Sequence, residues 1–412
     1  MKMSQVALPA LPTELWHKII RFATDDDCNS PELQTHPEAL PTRALKTKLA
    51  TVQVCRVWRA IGTEFLFEFI GNKDQAQLVY ISKLLRSSSA NPKLGWWIRS
   101  LHTRFHFGDD LDVFSSTIDS ILQCCPRLTT FMHIHDFNGP LPTSVVTALT
   151  AHCGKSLRRF QLDWGGVNID DLRHLLETSP SLQHLAVGCT FAPPSFTPSQ
   201  EFRFHKLRSL HFGNSEDGMT CRFNYHLLEA SSWILPALVS VSIDVDARTS
   251  IDELMTFLSA HGSKLQKLSL TDSGRLDGFP ISYNRVLQLC PNLQELRIPF
   301  NSFTAVPQIS GQPITDIPKN LRHLCFAQWE FFPDGGEPED LEAALTALRV
   351  HERYFDLFIG SLSSVLKSVQ FDFHAGFLDL SERCRPWWDH WVSEWTASGL
   401  EVRGSARAYP RP

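Results

Sequence analysis

The sequence predicts an α/β chain: a short helical N-terminal segment, then a solenoid of parallel strands alternating with helices. Three observations lead there. The pattern apolar-x-x-apolar-x-apolar recurs along residues 98–372. The stretches between its copies carry apolar residues at helical spacing. Residues 8–70 follow neither rule and read as a separate helical segment.

The repeat is clearest at Leu157, Phe160, Leu162; Leu182, Leu185, Val187; Leu207, Leu210, Phe212; and Leu238, Val241, Ile243. It continues at Leu265, Leu268, Leu270; Leu293, Leu296, Ile298; Leu321, Leu324, Phe326; and Leu366, Val369, Phe371. Weaker copies precede it at Ile98, Leu101, Thr103 and Leu128, Phe131, His133. Between first positions the intervals are 30, 29, 25, 25, 31, 27, 28, 28 and 45 residues. Most of them are the length of one strand-plus-helix unit of a solenoid.

The last two apolar positions of each copy are two residues apart, so on a strand both face the core. The residues beside them face outward and form the candidate substrate surface: Arg159, Gln161, Asp163, Lys267, Glu295 and Arg297. Their charges nearly cancel, which selects neither a polyanion nor a single small ligand. Helices are expected over 113–125, 142–153, 169–179 and 251–262, the last ending on Gly262 as a C-cap. Pro126, Pro180, Pro236, Pro291 and Pro318 each precede a strand, where proline stops a helix and starts extended chain. The 45-residue interval leaves room for the acidic loop DGGEPED and a helix from Glu339 to Ile359.

This repeat resembles the helix-containing leucine-rich-repeat proteins. Of the Asn or Cys expected three residues after the third apolar position, only Asn301 is present; Gly165, Asp246 and Ser273 stand elsewhere. The resemblance therefore implies an irregular arc. At the C-terminal end, Trp387, Trp391 and Trp395 recur every four residues and are expected to cap the solenoid, with GLEVRG adding a final strand.

In the N-terminal segment, a helix from Pro12 carries Leu15, Ile19 and Phe22 on one stripe. A second helical segment, 45–70, holds Val52, Val54, Val57, Trp58, Ile61 and Phe65. Between them, residues 25–41 contain three prolines and five acids and read as a surface insertion. So many apolar groups exceed what a small helical segment buries alone, and the surplus requires the first repeats or another chain.

Leu11-Pro12-x-Glu14-Leu15 followed by Val54-Cys55-Arg56-Val57-Trp58-Arg59 resembles an F-box. With the repeats it is similar to the F-box and leucine-rich-repeat proteins that abound in fungi. The resemblance implies docking of a Skp-type adaptor through Leu11, Pro12, Leu15, Ile19, Val54, Trp58 and Arg59. Through that adaptor comes a cullin–RING ligase, for which the repeats hold a substrate protein. The alternative is an interaction scaffold that assembles no ligase. The expected organisation is an F-box-like domain over 1–70, a helical connector over 71–97, the solenoid over 98–403 and a tail over 404–412.

The remaining signals bound this reading. A net charge of −5 gives no electrostatic footprint for nucleic acid. No stretch is long and apolar enough for a membrane span. Ten dispersed cysteines and no N-x-S/T site point to a reducing cytosolic or nuclear compartment. GKS at 154–156 lacks the first glycine of a phosphate loop, Leu149 standing in its place. His133 and His135 near Cys124 and Cys125 lack the spacing of a structural zinc site. No enzyme, cofactor or metal is expected.

Overall fold

A computed structural model describes residues 11–24, 42–72, 74–87, 94–106, 108–135, 140–163, 166–191, 202–213, 225–245, 251–272, 282–299, 317–329, 365–373 and 385–406. The architecture is α/β, a parallel strand ladder with helices between the strands. It divides into two compact units, Met1–Phe137 with Pro142–Phe160, and Asn138–Leu141 with Gln161–Pro412.

The first unit opens with three helices, α1 (Thr13–Thr24), α2 (Thr42–Val54) and α3 (Arg56–Phe67). The segment 45–70, expected as continuous helix, breaks at Cys55. There the backbone turns extended (φ −160°, ψ 175°) and the Cys55 sulfur accepts the Trp58 N–H, capping α3. The segment ends as a strand, β1 (Phe69–Gly71), which pairs with β2 (Ser100–Phe105). The ladder therefore starts earlier than residue 98.

After α4 (Gln75–Ser87) and α5 (Leu94–Trp97) the unit continues through β2, α6 (Leu111–Cys124), β3 (Thr130–His135), α7 (Thr143–Cys153) and β4 (Arg159–Asp163). Asp110 caps α6 by accepting the N–H groups of Asp112 and Val113, at 2.9 and 3.0 Å. Phe114, Ile118, Ile121 and Leu122 of α6 and Val145, Val146 and Leu149 of α7 are buried, as their helical spacing requires.

In the second unit the ladder runs through β6 (His184–Val187), β8 (Ser209–Phe212), β9 (Ser240–Val245), β10 (Lys267–Asp272), β11 (Glu295–Pro299), β12 (His323–Trp329), β13 (Ser368–Phe373) and β14 (Glu401–Ala406). A separate parallel pair, β5 (Gly166–Asn168) with β7 (Cys189–Phe191), was not legible in the repeat. Helices α8 (Ile169–Thr178), α9 (Tyr225–Ser231), α10 (Ile251–His261) and α11 (Tyr283–Leu289) lie between strands. The Trp-rich α12 (Arg385–Ala397) precedes β14, with Trp391 and Trp395 buried. The positions Gly165, Asp246, Ser273 and Asn301, the segment 25–41 and the helix expected at 339–359 lie outside the described residues.

Register is set where each strand begins. The residue just before a strand offers one carbonyl to two N–H groups of the next repeat. Arg99 O accepts from Thr129 and Thr130, Gln266 O from Gln294 and Glu295, and Arg322 O from Lys367 and Ser368. In several repeats the opening leucine closes a tight turn onto a carbonyl three residues earlier, as Leu182 does on Ser179 and Leu293 on Cys290; Leu157 reaches four residues back to Cys153. The inward rows then align: Leu185, Leu210, Val241, Leu268, Leu296, Leu324 and Val369 are neighbours across successive strands, all buried.

The two weak copies of the repeat carry polar groups where the third apolar residue would stand. Thr103 and His133 are buried and bonded to each other, Oγ1 to Nδ1 at 2.8 Å, so neither disrupts the core. In the second unit, Arg173 of α8 donates from Nε and Nη2 to one carboxylate oxygen of Glu229 on α9, at 3.2 and 3.0 Å, and Glu229 is 1% exposed. Its guanidinium also lies 6.0 Å from the Phe202 ring centroid.

Helix α10 ends at His261, directly before Gly262, the expected C-cap, which also begins a 3₁₀ turn (Gly262–Lys264). Its value is close approach: a Cβ there would sit 2.5 Å from the Leu289 carbonyl oxygen at the end of α11. Gly95 is placed likewise, its Cβ position 2.0 Å from the Cys124 carbonyl oxygen at the end of α6. In both cases the obstacle is backbone, which cannot swing aside.

Two stability predictions follow from these contacts. Gly95→Ala and Gly262→Ala should each lower the unfolding free energy by about 1–3 kcal/mol, the cost of overpacking, measured by denaturant titration. Arg173→Met should cost about 3–5 kcal/mol by leaving the Glu229 carboxylate buried and uncompensated, and adding Glu229→Gln should recover part of it.

Candidate functional site

Two surfaces hold the residues singled out from the sequence. The first is the outside of the N-terminal helices. Ile20, Ile61 and Phe65 form the buried centre, with Trp16 and Trp58 packed against it, ring centroids 5.2 Å apart. Because that centre uses only one stripe of each helix, other apolar side chains stay in water. Leu11, Leu15 and Ile19 are exposed along α1 (Ile19 46%), and Phe22 is 87% exposed. Leu45 and Leu49 of α2 and Val54 and Val57 at the Cys55 break are exposed too.

Of the residues expected to face an adaptor, Leu11, Pro12, Leu15, Ile19 and Val54 are thus solvent-facing. Trp58 is half-buried and holds the helices together from within. Arg59 is exposed and donates from Nε to the Val52 carbonyl at 3.2 Å, tying α3 to the last turn of α2. Phe22, Leu45, Leu49 and Val57 were not among the residues expected to face an adaptor, though Phe22 lies on the same stripe as Leu15 and Ile19. Two charged contacts hold the frame: Arg21 bonds both Glu68 carboxylate oxygens, the closest at 2.8 Å, and His17 lies 3.8 Å from Glu64.

The second surface is the outward face of the strands. On β10 and β11, Lys267 and Glu295 are cross-strand neighbours joined at 2.6 Å. Both are accessible, so the pair is a screened surface bridge. Arg297 is half-buried one register step further along β11. Arg159 is half-buried on β4, and its charge is felt at His102 on β2, two strands away. Gln161 departs from expectation: it is 7% exposed, so an outward position does not give it solvent access. Asp163 closes β4, and nothing is described of its side chain.

In the second unit the outward positions of β6, β8 and β9 are small or weakly charged: His184, Ser209 and Ser240 in one row, Ala186, His211 and Ser242 in the next. Asp244 and Thr271 are hydrogen-bonded across β9 and β10. Among the described outward positions the face is mostly polar, with Asp244 on β9 and Lys267, Glu295 and Arg297 on β10 and β11.

Titration adds one strong feature. Burial, with the Arg159 charge second, holds His102 down at about 4, so it is neutral at physiological pH. Burial also raises the thiols of Cys124 and Cys125, and pushes Cys153 up to about 12. Protonated thiols are poor ligands and poor nucleophiles. The Cys153 thiol donates to the Cys125 carbonyl at 3.3 Å, and His133 is held by Thr103. Among the described residues no group of three or more His, Cys, Asp or Glu side chains is placed to hold a metal ion. No described helix is long and apolar enough to cross a membrane.

No family model matches the sequence, and no curated protein matches it. Among solved structures the chain is similar to a Bacteroides fragilis protein at 11% identity and a TM-score of 0.36, over 63% of this chain and 67% of that one. It is also similar to the leucine-rich repeat-containing protein LegL7 from Legionella pneumophila, at 11% identity and a TM-score of 0.34, over 70% of this chain and 82% of that one.

His102 makes the stability of this face pH-dependent. Its folded pKa lies below the ordinary histidine value of 6.5, so the unfolded chain binds its proton first. The contribution is fully present above about pH 6.5 and is lost as pH falls toward 4. His102→Gln should flatten the fall of the thermal midpoint across that window, measured in matched pH series.

Proposed function

We propose that this chain is the substrate-recognition subunit of a cullin–RING ubiquitin ligase of the SCF type. Its N-terminal helices act as an F-box that docks a Skp-type adaptor, and the outward strand positions hold a substrate protein. The observation that carries this is the set of exposed apolar side chains: Leu11 just ahead of α1, Leu15, Ile19 and Phe22 along α1, and Val54 and Val57 on either side of Cys55. A helical segment that leaves this many large apolar groups in water offers a partner surface. Their order along the chain is that of the motif pair Leu11-Pro12-x-Glu14-Leu15 and Val54–Arg59.

In this reading the chain supplies no catalytic group and binds no cofactor, nucleic acid or membrane. It works in the cytosol or nucleus, where the adaptor and cullin are found. Ubiquitin transfer belongs to the partner subunits, and this protein contributes proximity by holding the acceptor near the transfer centre. The polar, charge-balanced strand face suits a protein segment read by shape and hydrogen bonding. Accessible contacts come from Lys267 and Glu295, with Arg159 and Arg297 partly accessible.

Co-expression with a Skp-type adaptor and a cullin, followed by capture of the tagged chain, tests the reading. Wild type should retain both partners. Leu15→Asp with Ile19→Asp should release them, each change weakening adaptor binding by roughly 2 kcal/mol or more. The unfolding midpoint should barely move, because both side chains are already in water. Wild type that captures no adaptor, or a double variant that still binds it, would sink the proposal. Adaptor without cullin would point to an interaction scaffold instead.

A further inference from the structure

In the first unit, the turns that lead into β2, β3 and β4 carry an unbalanced charge. They read Ile98-Arg99-Ser100, Pro126-Arg127-Leu128-Thr129 and Lys155-Ser156-Leu157-Arg158-Arg159, without one carboxylate, in a chain whose net charge is −5. The turns lie side by side, because the Thr129 N–H bonds the Arg99 carbonyl and the Arg158 N–H bonds the Thr129 carbonyl. The Arg127 guanidinium sits 4.9 Å from the ring centroid of Trp96, a residue 46% exposed on α5. Arg99 reaches to the same turn, its Nη1 donating to the Arg127 carbonyl at 3.2 Å. Lys155 and Arg158 are exposed one repeat further on.

The half-buried pair Arg99 and Arg127 is the second observation. Their charges are close enough that Arg127, after burial, holds the Arg99 pKa below its ordinary value. The carboxylates that act on Arg99 are occupied, Glu68 by Arg21 and Glu64 beside His17. Among the described residues no carboxylate forms an ion pair with Arg127. A cation near the end of α6 or α7 suits the negative end of the helix dipole. That field does not require two guanidiniums to converge, nor a tryptophan left in water beside them. Like charges held together repel, and an anion beside them offsets the repulsion.

We infer that this edge of the first unit docks an acidic segment of a partner protein, a run of Asp or Glu side chains crossing the turns ahead of β2, β3 and β4. The spread of the cations selects that partner. Neighbouring strands are about 4.8 Å apart, so Arg99 and Arg158, two rungs apart, start roughly 10 Å from each other. A single compact anion meets the Arg99–Arg127 pair alone, whereas a run of carboxylates continues to Lys155 and Arg158. Guanidiniums receive carboxylates through paired hydrogen bonds, and the stack on Trp96 keeps that of Arg127 oriented. Trp96 already carries Arg127 over its ring, so it is a poor platform for stacking nucleic-acid bases. None of these residues belongs to the adaptor surface, and the inference stands with or without a ligase.

Fluorescence anisotropy of a labelled poly-glutamate peptide with the full chain, at physiological salt, tests the inference. The peptide should bind saturably, about tenfold or more tighter than a single-stranded oligonucleotide of equal charge and than a neutral peptide carrying one phosphoserine. Lys155→Glu combined with Arg158→Glu should weaken that binding roughly tenfold or more, and Arg127→Gln roughly fivefold. The unfolding midpoint of the double variant should be retained, since both side chains are in water. Four results would overturn the inference: no saturable binding of poly-glutamate, the oligonucleotide binding as tightly, the phosphoserine peptide binding as tightly, or an affinity unchanged in either variant. Adaptor capture by the double variant should be unaffected, so a failure here is separable from a failure of the ligase reading.

Discussion

One hydrogen-bonding arrangement governs the ladder: a single carbonyl ahead of each strand receives two N–H groups from the repeat that follows. A one-residue slip would break both bonds and turn the whole inward row to the outside. The consequence is visible in the register, where Leu210, Val241, Leu268, Leu296 and Leu324 stand side by side although the repeats differ in length. Side chains at the carbonyl-bearing position itself vary freely, from Arg99 to Val239 to Gln266, because only the backbone is used. Leucine, by contrast, recurs at the turn and inward positions because each must fill a slot of fixed depth.

The molecule treats polarity and burial differently at its two ends. Inside the ladder, polar groups are admitted when a neighbour answers them: Thr103 with His133, Arg173 with Glu229, and His261, whose Nε2–H donates to the Ala230 carbonyl at 2.9 Å. That last bond places a proton on Nε2; burial lowers the His261 pKa, and the bond to Ala230 opposes it. At the N-terminal helices the reverse holds, and apolar groups remain where water reaches them. In the reading proposed above, those unanswered apolar side chains are the part of the first unit that a partner covers.

Most of the ladder was legible because inward positions obey a strict spacing that leucine, isoleucine, valine and phenylalanine satisfy in plain view. The helices at 111–124, 143–153, 169–178 and 251–261 fell close to their expected limits for the same reason. What escaped was structure without a periodic signature. β1 is three residues long and carries no leucine, and it is recruited only because Ile70 meets Leu101. The helix break at Cys55 relies on a sulfur acceptor, outside the usual Ser, Thr, Asp and Asn caps. Gly262 marked the end of α10 in the sequence, but its close approach to the Leu289 carbonyl did not show there, since packing alone reveals it. The exposed apolar row on α1 could be anticipated from surplus hydrophobicity.

The doubly loaded carbonyl also separates the length of a repeat from its placement. Arg322 engages Lys367 and Ser368 as Gln266 engages Gln294 and Glu295, yet the first connection is far longer than the second. His323 still faces Ser368, their side chains bonded at 2.8 Å. Such a chain can acquire or shed residues between strands without renegotiating its neighbours. Connection length and strand placement are thereby decoupled.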